Sequence, residues 1–246
     1  MHTAFDLKDK MFLITGASSG IGRSTAIEIS KLGGSIFISG RNKEELKKTK
    51  SFCQGFCEIV CADLIQAKDI LNLVEKIKPL DGLVLSSGVD KNLPLQFSKT
   101  IKVKEIFEIN LFAQIELVYS LIKAKMLKSN SSIVAISSIA GNYTNTFGES
   151  IYGASKAALS SWIKGIALEL AHKKIRANCI CPGPVDTPMV AKQAYSKEDI
   201  ENLTKKIPLK RFINPEEIAL ACIFLLSDAS KMITGTNIVI DGGLTI

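Results

Sequence analysis

Tyr152 and Lys156, in Tyr152-Gly153-Ala154-Ser155-Lys156, are four positions apart, which on a helix puts a phenol and an ammonium on one face. A neighbouring cation favours phenolate and draws a tyrosine pKa down from about 10. Tyr152 is then a candidate acid toward a carbonyl oxygen, or a base toward an alcohol. The pair alone is a weak signal, since Tyr and Lys at this spacing are common by chance. Upstream, Ile133-Val134-Ala135-Ile136-Ser137-Ser138 reads as a strand ending in two hydroxyls that can reach the phenol.

A second group of residues suits anion binding. Thr15-Gly16-Ala17-Ser18-Ser19-Gly20-Ile21-Gly22 falls between an expected strand and an expected helix. The missing Cβ atoms of Gly16, Gly20 and Gly22 permit a tight turn and close approach of a pyrophosphate. The amides of Ser18, Ser19 and Ile21 belong to the same turn, and the helix start offers unpaired N–H groups and a positive dipole end. Such a glycine pattern is weak in isolation and gains force at the first strand-to-helix junction of an α/β chain.

The elements that must hold these residues alternate. Strands are expected at Lys10 to Thr15, Ser35 to Ser39, Glu58 to Ala62, Gly82 to Ser86, Ser132 to Ser137, Ile175 to Cys181 and Asn237 to Ile240. Helices are expected after the glycine turn to about Leu32, and at Lys43 to Phe52, Gln66 to Ile77, Ile101 to Lys128, Ser150 to His172 and Pro215 to Leu226. Repeated βαβ units imply α/β architecture: a doubly wound parallel sheet of about seven strands with helices on both faces. No linker, repeat or low-complexity segment divides residues 1–246, so one domain is expected.

Composition narrows the function classes. Hydrophobic residues make up 46% of 246, enough for a sizeable core and incompatible with a disordered chain. No apolar run reaches the roughly 18 residues needed to cross a bilayer. The first ten residues lack the layout of a secretory signal, so a cytoplasmic protein without membrane attachment is expected. Thirty-one Lys and Arg against 24 Asp and Glu leave a net charge of +7, which could serve an acidic partner or be a solvated surface. Nucleic acid is not expected, because no recognition-helix or base-stacking motif accompanies the charge. The six cysteines include no Cys-x-x-Cys spacing and only two His could assist them, so no metal site is expected.

The spacing Thr-Gly-x-x-x-Gly-x-Gly with Tyr-x-x-x-Lys resembles the short-chain dehydrogenase/reductase family, from about Lys8 to Gly243. Within it the chain is most similar to 3-oxoacyl-acyl-carrier-protein reductases. The resemblance implies a Rossmann-type fold, hydride exchange between a nicotinamide cofactor and a carbonyl carbon, and a homotetramer. It implies that Ser138 orients the carbonyl oxygen, Tyr152 exchanges the proton, and Lys156 binds the nicotinamide ribose. Asn110, in Ile109-Asn110-Leu111, matches the mid-helix asparagine that holds a water in the family's proton relay. Asp63, beside Leu64, matches the carboxylate that meets the adenine, and Gly88 keeps a close backbone approach. Pro182, Gly183, Val185 and Thr187 match the loop that cradles the nicotinamide.

Two departures stand out. The family's Asn-Asn-Ala-Gly reads Leu85-Ser86-Ser87-Gly88, where the serines could replace some lost bracing bonds. Ser138 and Tyr152 are 14 apart, one more than is customary, and the Gly141 to Ser150 loop can absorb the difference.

NAD-preferring members usually carry an acid at the end of the second strand. Here Ile38-Ser39-Gly40-Arg41-Asn42 has none, and Arg41 is placed to meet a 2′-phosphate, favouring NADP(H) over NAD(H). The expected reaction is reduction of a ketone, with a 3-oxoacyl thioester as one substrate class and a sugar, polyol or cyclic alcohol as the other. A catalytically silent NADP-binding protein is the alternative of a different class. Lys125, Lys128, Lys173, Lys174 and Arg176 could receive an acidic carrier. Residues 186–210, with Met189, Gln193 and Tyr195, are expected to form a mobile substrate lid.

Overall fold

In the computed structural model, residues 3–188 and 196–246 are described. The first half runs β1 (Met11–Ile14), α1 (Gly20–Lys31), β2 (Ser35–Gly40), α2 (Lys43–Phe52), β3 (Cys57–Cys61), α3 (Ala67–Lys76) and β4 (Leu80–Leu85). The second half runs α4 (Thr100–Phe107), α5 (Ala113–Lys123), β5 (Leu127–Ile136), α6 (Ser150–Glu169), β6 (Arg176–Pro182), α7 (Lys197–Lys206), α8 (Pro215–Leu226) and β7 (Asn237–Ile240).

Seven parallel strands form one sheet in the order β3-β2-β1-β4-β5-β6-β7. The chain winds outward from β1 to β3, then crosses back to β4, which is the doubly wound arrangement expected. Adjacent side chains on a strand point to opposite faces. Phe12 and Ile14 accordingly enter one core with Ile36, Ile38, Val84 and Val134, while Leu13 enters the other with Phe37, Leu83 and Ile133. α1 and α8 cover the first face, and α3, α5 and α6 cover the second.

The helix expected from Ile101 to Lys128 is interrupted and shorter. A single π-helical turn, Glu108–Phe112, separates α4 from α5. The chain leaves the helix at Lys125, whose φ of 58° is left-handed, and β5 begins at Leu127. Tertiary pairing overrides the polar run: Leu80 N–H donates to Met126 O at 2.7 Å, and Lys128 Nζ meets Asp81 at 2.7 Å. Lys128 is therefore a strand residue rather than a helix-end residue.

In the expected lid, 186–188 and 196–210 are described, while Met189, Gln193 and Tyr195 lie outside the described residues. α7 starts in a reciprocal cap, with Ser196 Oγ accepting from Asp199 N–H and Asp199 accepting from Ser196 N–H. No helix of the described residues is long and apolar enough to cross a membrane.

Candidate active site

The carboxyl ends of β1, β2, β4, β5 and β6 open onto a cleft of about 1390 Å³. It lies where the strand order reverses, the crevice in which doubly wound sheets bind ligands.

The turn after β1 is shaped for close packing. Gly16 has φ 64°, and a Cβ there would lie 2.7 Å from Ser86 O. A Cβ on Gly22 would lie 2.5 Å from Gly16 O, so Gly22 sits beneath the turn and not in the cleft wall. Ser19 caps α1 without a side-chain hydrogen bond, and the first turn of α1 holds no acid. Its amides and dipole end are thus left to an anion. Gly16, Ser18, Ser19, Gly20 and Ile21 line the cleft.

The segment after β4 is braced through the backbones of Ser86 and Ser87. Thr15 Oγ1 accepts from Ser86 N–H at 3.1 Å and Ser87 N–H at 3.3 Å. Gln114 Nε2 donates to Ser87 O at 2.8 Å. The partners are Thr15, just past β1, and Gln114 on α5.

Ser138, Tyr152 and Lys156 converge on the cleft. Ser138 Oγ accepts from Ala140 N–H at 3.0 Å, and its side chain acts on the Tyr152 phenol. Asn142 Nδ2 donates to Ser138 O at 2.9 Å and fixes that strand end. Lys156 is buried, and its Nζ donates to Ile136 O at 2.8 Å. Ser137 Oγ donates to Lys156 O at 2.9 Å, tying α6 to the end of β5.

The electrostatics correct one expectation. Burial, and after it the Asp90 carboxylate, push the Tyr152 phenol above its ordinary range, while Ser138 pulls the other way. Lys156 lies 6.0 Å from the ring centroid and is itself lowered by burial to about 8. Desolvation dominates both groups, so the phenol holds its proton more firmly than four-residue spacing alone implies.

Asn110 lies in the π-helical turn, fully buried, behind the cleft wall. Its Oδ1 accepts from Val89 N–H at 2.8 Å, and its Nδ2 donates to Val89 O at 3.0 Å and Ser155 Oγ at 3.0 Å. Ser155 Oγ donates to Tyr152 O at 2.7 Å, so Asn110 joins the segment after β4 to the helix of the tyrosine. A Cβ on Gly88 would stand 3.2 Å from both Asn110 Oδ1 and Lys156 Nζ.

The remaining sequence candidates also line the cleft: Arg41, Asp63, Leu64, Gly88, Pro182, Gly183, Val185 and Thr187. Gly183 packs on the C-terminal segment, where a Cβ would meet Asp241 Cβ at 2.9 Å. The longer loop before α6 docks on the segment after β4 through Leu93 N–H to Gly148 O at 2.7 Å. Phe147 is left 85% exposed at the cleft mouth. Sequence reasoning missed Arg23, Glu45, Asp90 and Gln114. Gln114 had no periodic signal, because five-residue reach belongs to a π-helical turn rather than an α-helix.

This fold and cleft define a nucleotide-binding oxidoreductase of the Rossmann type. The chain belongs to the short-chain dehydrogenase/reductase family. Residues 16–245 match the family profile described as Enoyl-(Acyl carrier protein) reductase. The chain is 36% identical over 239 residues to a 3-oxoacyl-[acyl-carrier-protein] reductase FabG of Rickettsia bellii, covering 97% of this chain and 98% of that one. A short-chain dehydrogenase/reductase of Brucella melitensis, described as a glucose/ribitol dehydrogenase, superposes with TM-score 0.90 at 29% identity, with 100% of each chain covered. The Pseudomonas aeruginosa RhlG/NADP active-site complex superposes with TM-score 0.90 at 27% identity, also over 100% of each chain.

The residues present fit a nicotinamide dinucleotide. The uncapped start of α1 suits its pyrophosphate, and the bare Cα of Gly88 leaves room beside Lys156 Nζ.

Proposed function

We infer that this enzyme reduces a ketone to a secondary alcohol with NADP(H), with a 3-oxoacyl thioester as the substrate class. The observation that carries the reading is one cleft with two ends. Ser138, Tyr152 and Lys156 meet at one end, and Arg41 stands at the other beside Ser18 and Asn42. β2 ends at Gly40 without an acid, and Arg41 is exposed with no ion pair among the described residues. A forked guanidinium in that position suits a 2′-phosphate.

NADPH, when bound, supplies the hydride. The Ser138 hydroxyl orients the carbonyl oxygen toward the Tyr152 phenol. Tyr152 donates the proton, a role suited to a buried phenol whose proton is firmly held. Lys156 would hold the nicotinamide ribose, and its ammonium stabilises the Tyr152 phenolate left after transfer until a proton returns to it. Asn110 keeps Gly88 and Tyr152 at fixed separation through Val89 and Ser155, and its place in the turn supports reprotonation through water and Lys156. Gly16, Ser18, Ser19, Gly20 and Ile21 bind the pyrophosphate, with Gly22 beneath them. Asp63 and Leu64 meet the adenine, and Pro182, Gly183, Val185 and Thr187 cradle the nicotinamide.

The acyl reading draws on the Rickettsia reductase, and the cofactor reading on the Pseudomonas complex with NADP. The likeness to a glucose/ribitol dehydrogenase keeps a polyol or sugar as the second substrate class. Retention of Ser138, Tyr152 and Lys156 argues against a silent NADP-binding protein. The working enzyme is inferred to be a cytoplasmic homotetramer of single-domain chains.

Acetoacetyl thioester reduction, followed by NADPH absorbance, tests the function. Wild type is expected to turn over, while Tyr152→Phe binds NADPH nearly as well and loses at least about a hundredfold in kcat. Activity on sugars or cyclic ketones with none on any acetoacetyl thioester overturns the substrate class. Near wild-type hydride transfer by Tyr152→Phe in stopped flow overturns the proton donor.

A further inference from the structure

Arg23, on the first turn of α1, joins the phosphate-binding turn to α2. Its Nη2 donates to Ser18 O and, at 2.7 Å, to Glu45 Oε2. Its Nε donates to Thr49 Oγ1 at 3.0 Å, and that hydroxyl in turn donates to Ala17 O at 2.7 Å. Two consecutive carbonyls of the turn are therefore held by one arginine and one buried threonine. The ion pair is half-buried, with side-chain exposures of 26% for Arg23 and 33% for Glu45.

Glu45 is the exceptional member of this group. It lines the same end of the cleft as Arg41, Asn42 and Ser18, whereas Glu44 is exposed and pairs with Lys47 at 2.9 Å. A carboxylate near the adenosine ribose favours a 2′-hydroxyl and repels a 2′-phosphate. Here that carboxylate is engaged from two sides, by Arg23 and by Lys48 Nζ at 2.6 Å. Asn42 Oδ1 accepts from Glu45 N–H at 3.1 Å, which fixes the residue one turn into α2.

The geometry points to Arg23 as a specificity-determining residue: by pairing Glu45, it masks the one carboxylate of α2 facing the cleft and lets Arg41 read a 2′-phosphate. This inference rests on the NADP(H) reading above. Arg41 supplies attraction, and the Arg23–Glu45 pair removes repulsion. Discrimination between two ligands requires both, because it is a difference of two affinities.

Calorimetric titration of the purified full chain with NADPH and with NADH, in the absence of substrate, tests the pair. Arg23→Met keeps the apolar stem and unmasks Glu45. It is expected to weaken NADPH about tenfold and leave NADH within about twofold. Adding Glu45→Gln to Arg23→Met is expected to bring NADPH back to within about threefold of wild type. Glu45→Gln alone is expected to leave both NADPH and NADH within about twofold of wild type, because the charge it removes is already paired, a measurement that stands whether or not Arg23→Met folds.

Equal loss of both cofactors in Arg23→Met, or no recovery in the double variant, makes Arg23 a brace of the turn and overturns the masking. NADPH binding tightened about tenfold or more in Glu45→Gln shows an unmasked carboxylate and overturns it as well. A wild-type protein that binds NADH as tightly as NADPH overturns the NADP(H) reading itself, whereas full NADPH preference in Arg23→Met overturns the masking alone.

Discussion

At the residue scale, desolvation outweighs the attraction between neighbours. Lys156 is held to about 8 by burial, against 10.5 for the free side chain. Between these values the unfolded chain binds more protons than the folded one, so stability rises with pH across that window. Below about 8 both states are protonated, and the folded state carries the cost of burying the charge. Urea midpoints are expected to rise from about pH 7.5 to about pH 9.5 in wild type, relative to Lys156→Met. Parallel profiles for the two proteins would show that Lys156 is not held low. The window stops short of the ordinary tyrosine range because Tyr152, raised by burial, works in the opposite sense there. Tyr152 and Lys156 were legible as a pair from their spacing. Their protonation was not, because burial and Asp90 come from other parts of the chain.

At the element scale, the π-helical turn at Glu108–Phe112 does what a regular helix cannot. It turns Asn110 toward Val89 and leaves the Ile109 carbonyl to be capped by Gln114 Nε2 at 3.3 Å. The same amide donates to Ser87 O at 2.8 Å, so one buried side chain supports both the turn and the strand end beside Gly88. Gln114→Met keeps the bulk and removes both donors. The expected loss is about 1–3 kcal/mol of stability, with weaker NADPH binding, because buried carbonyls lose their partners. Urea unfolding and NADPH titration check it, and a stability change below about 0.3 kcal/mol would remove Gln114 from the brace. Apolar periodicity disclosed α4 and α5 as helix. The interruption stayed hidden because a π-helical turn leaves the composition of the helix unchanged.

At the scale of the whole molecule, the basic residues offered to a carrier are not beside the cleft of their own chain. Lys125, Lys128, Lys173, Lys174 and Arg176 follow α5 and α6 at the amino-terminal ends of β5 and β6, the sheet edge opposite the cleft. Arg176 is also engaged, donating to Ser230 Oγ at 2.9 Å and to Ser227 O at 3.2 Å. Ile101, Phe112, Tyr119 and Leu168 leave apolar surface exposed on α4, α6 and the turn and helix between them, in keeping with the inferred assembly. Light scattering is expected to return about four times the 26.7 kDa chain mass. A mass of one chain would sink the tetramer.

The sequence by itself determined the alternation of strands and helices, the glycine turn, and the types of residue that do chemistry. Those depend on local periodicity and on short spacings, which neighbouring residues settle among themselves. Only the tertiary structure decided which carboxylates are masked, which strand ends are braced and which protons are held. Arg23 meets Glu45, Thr15 meets Ser86, and Asp90 acts on Tyr152 across long stretches of chain. Such meetings arise from packing around the sheet, and burial then sets the charge each group can bear.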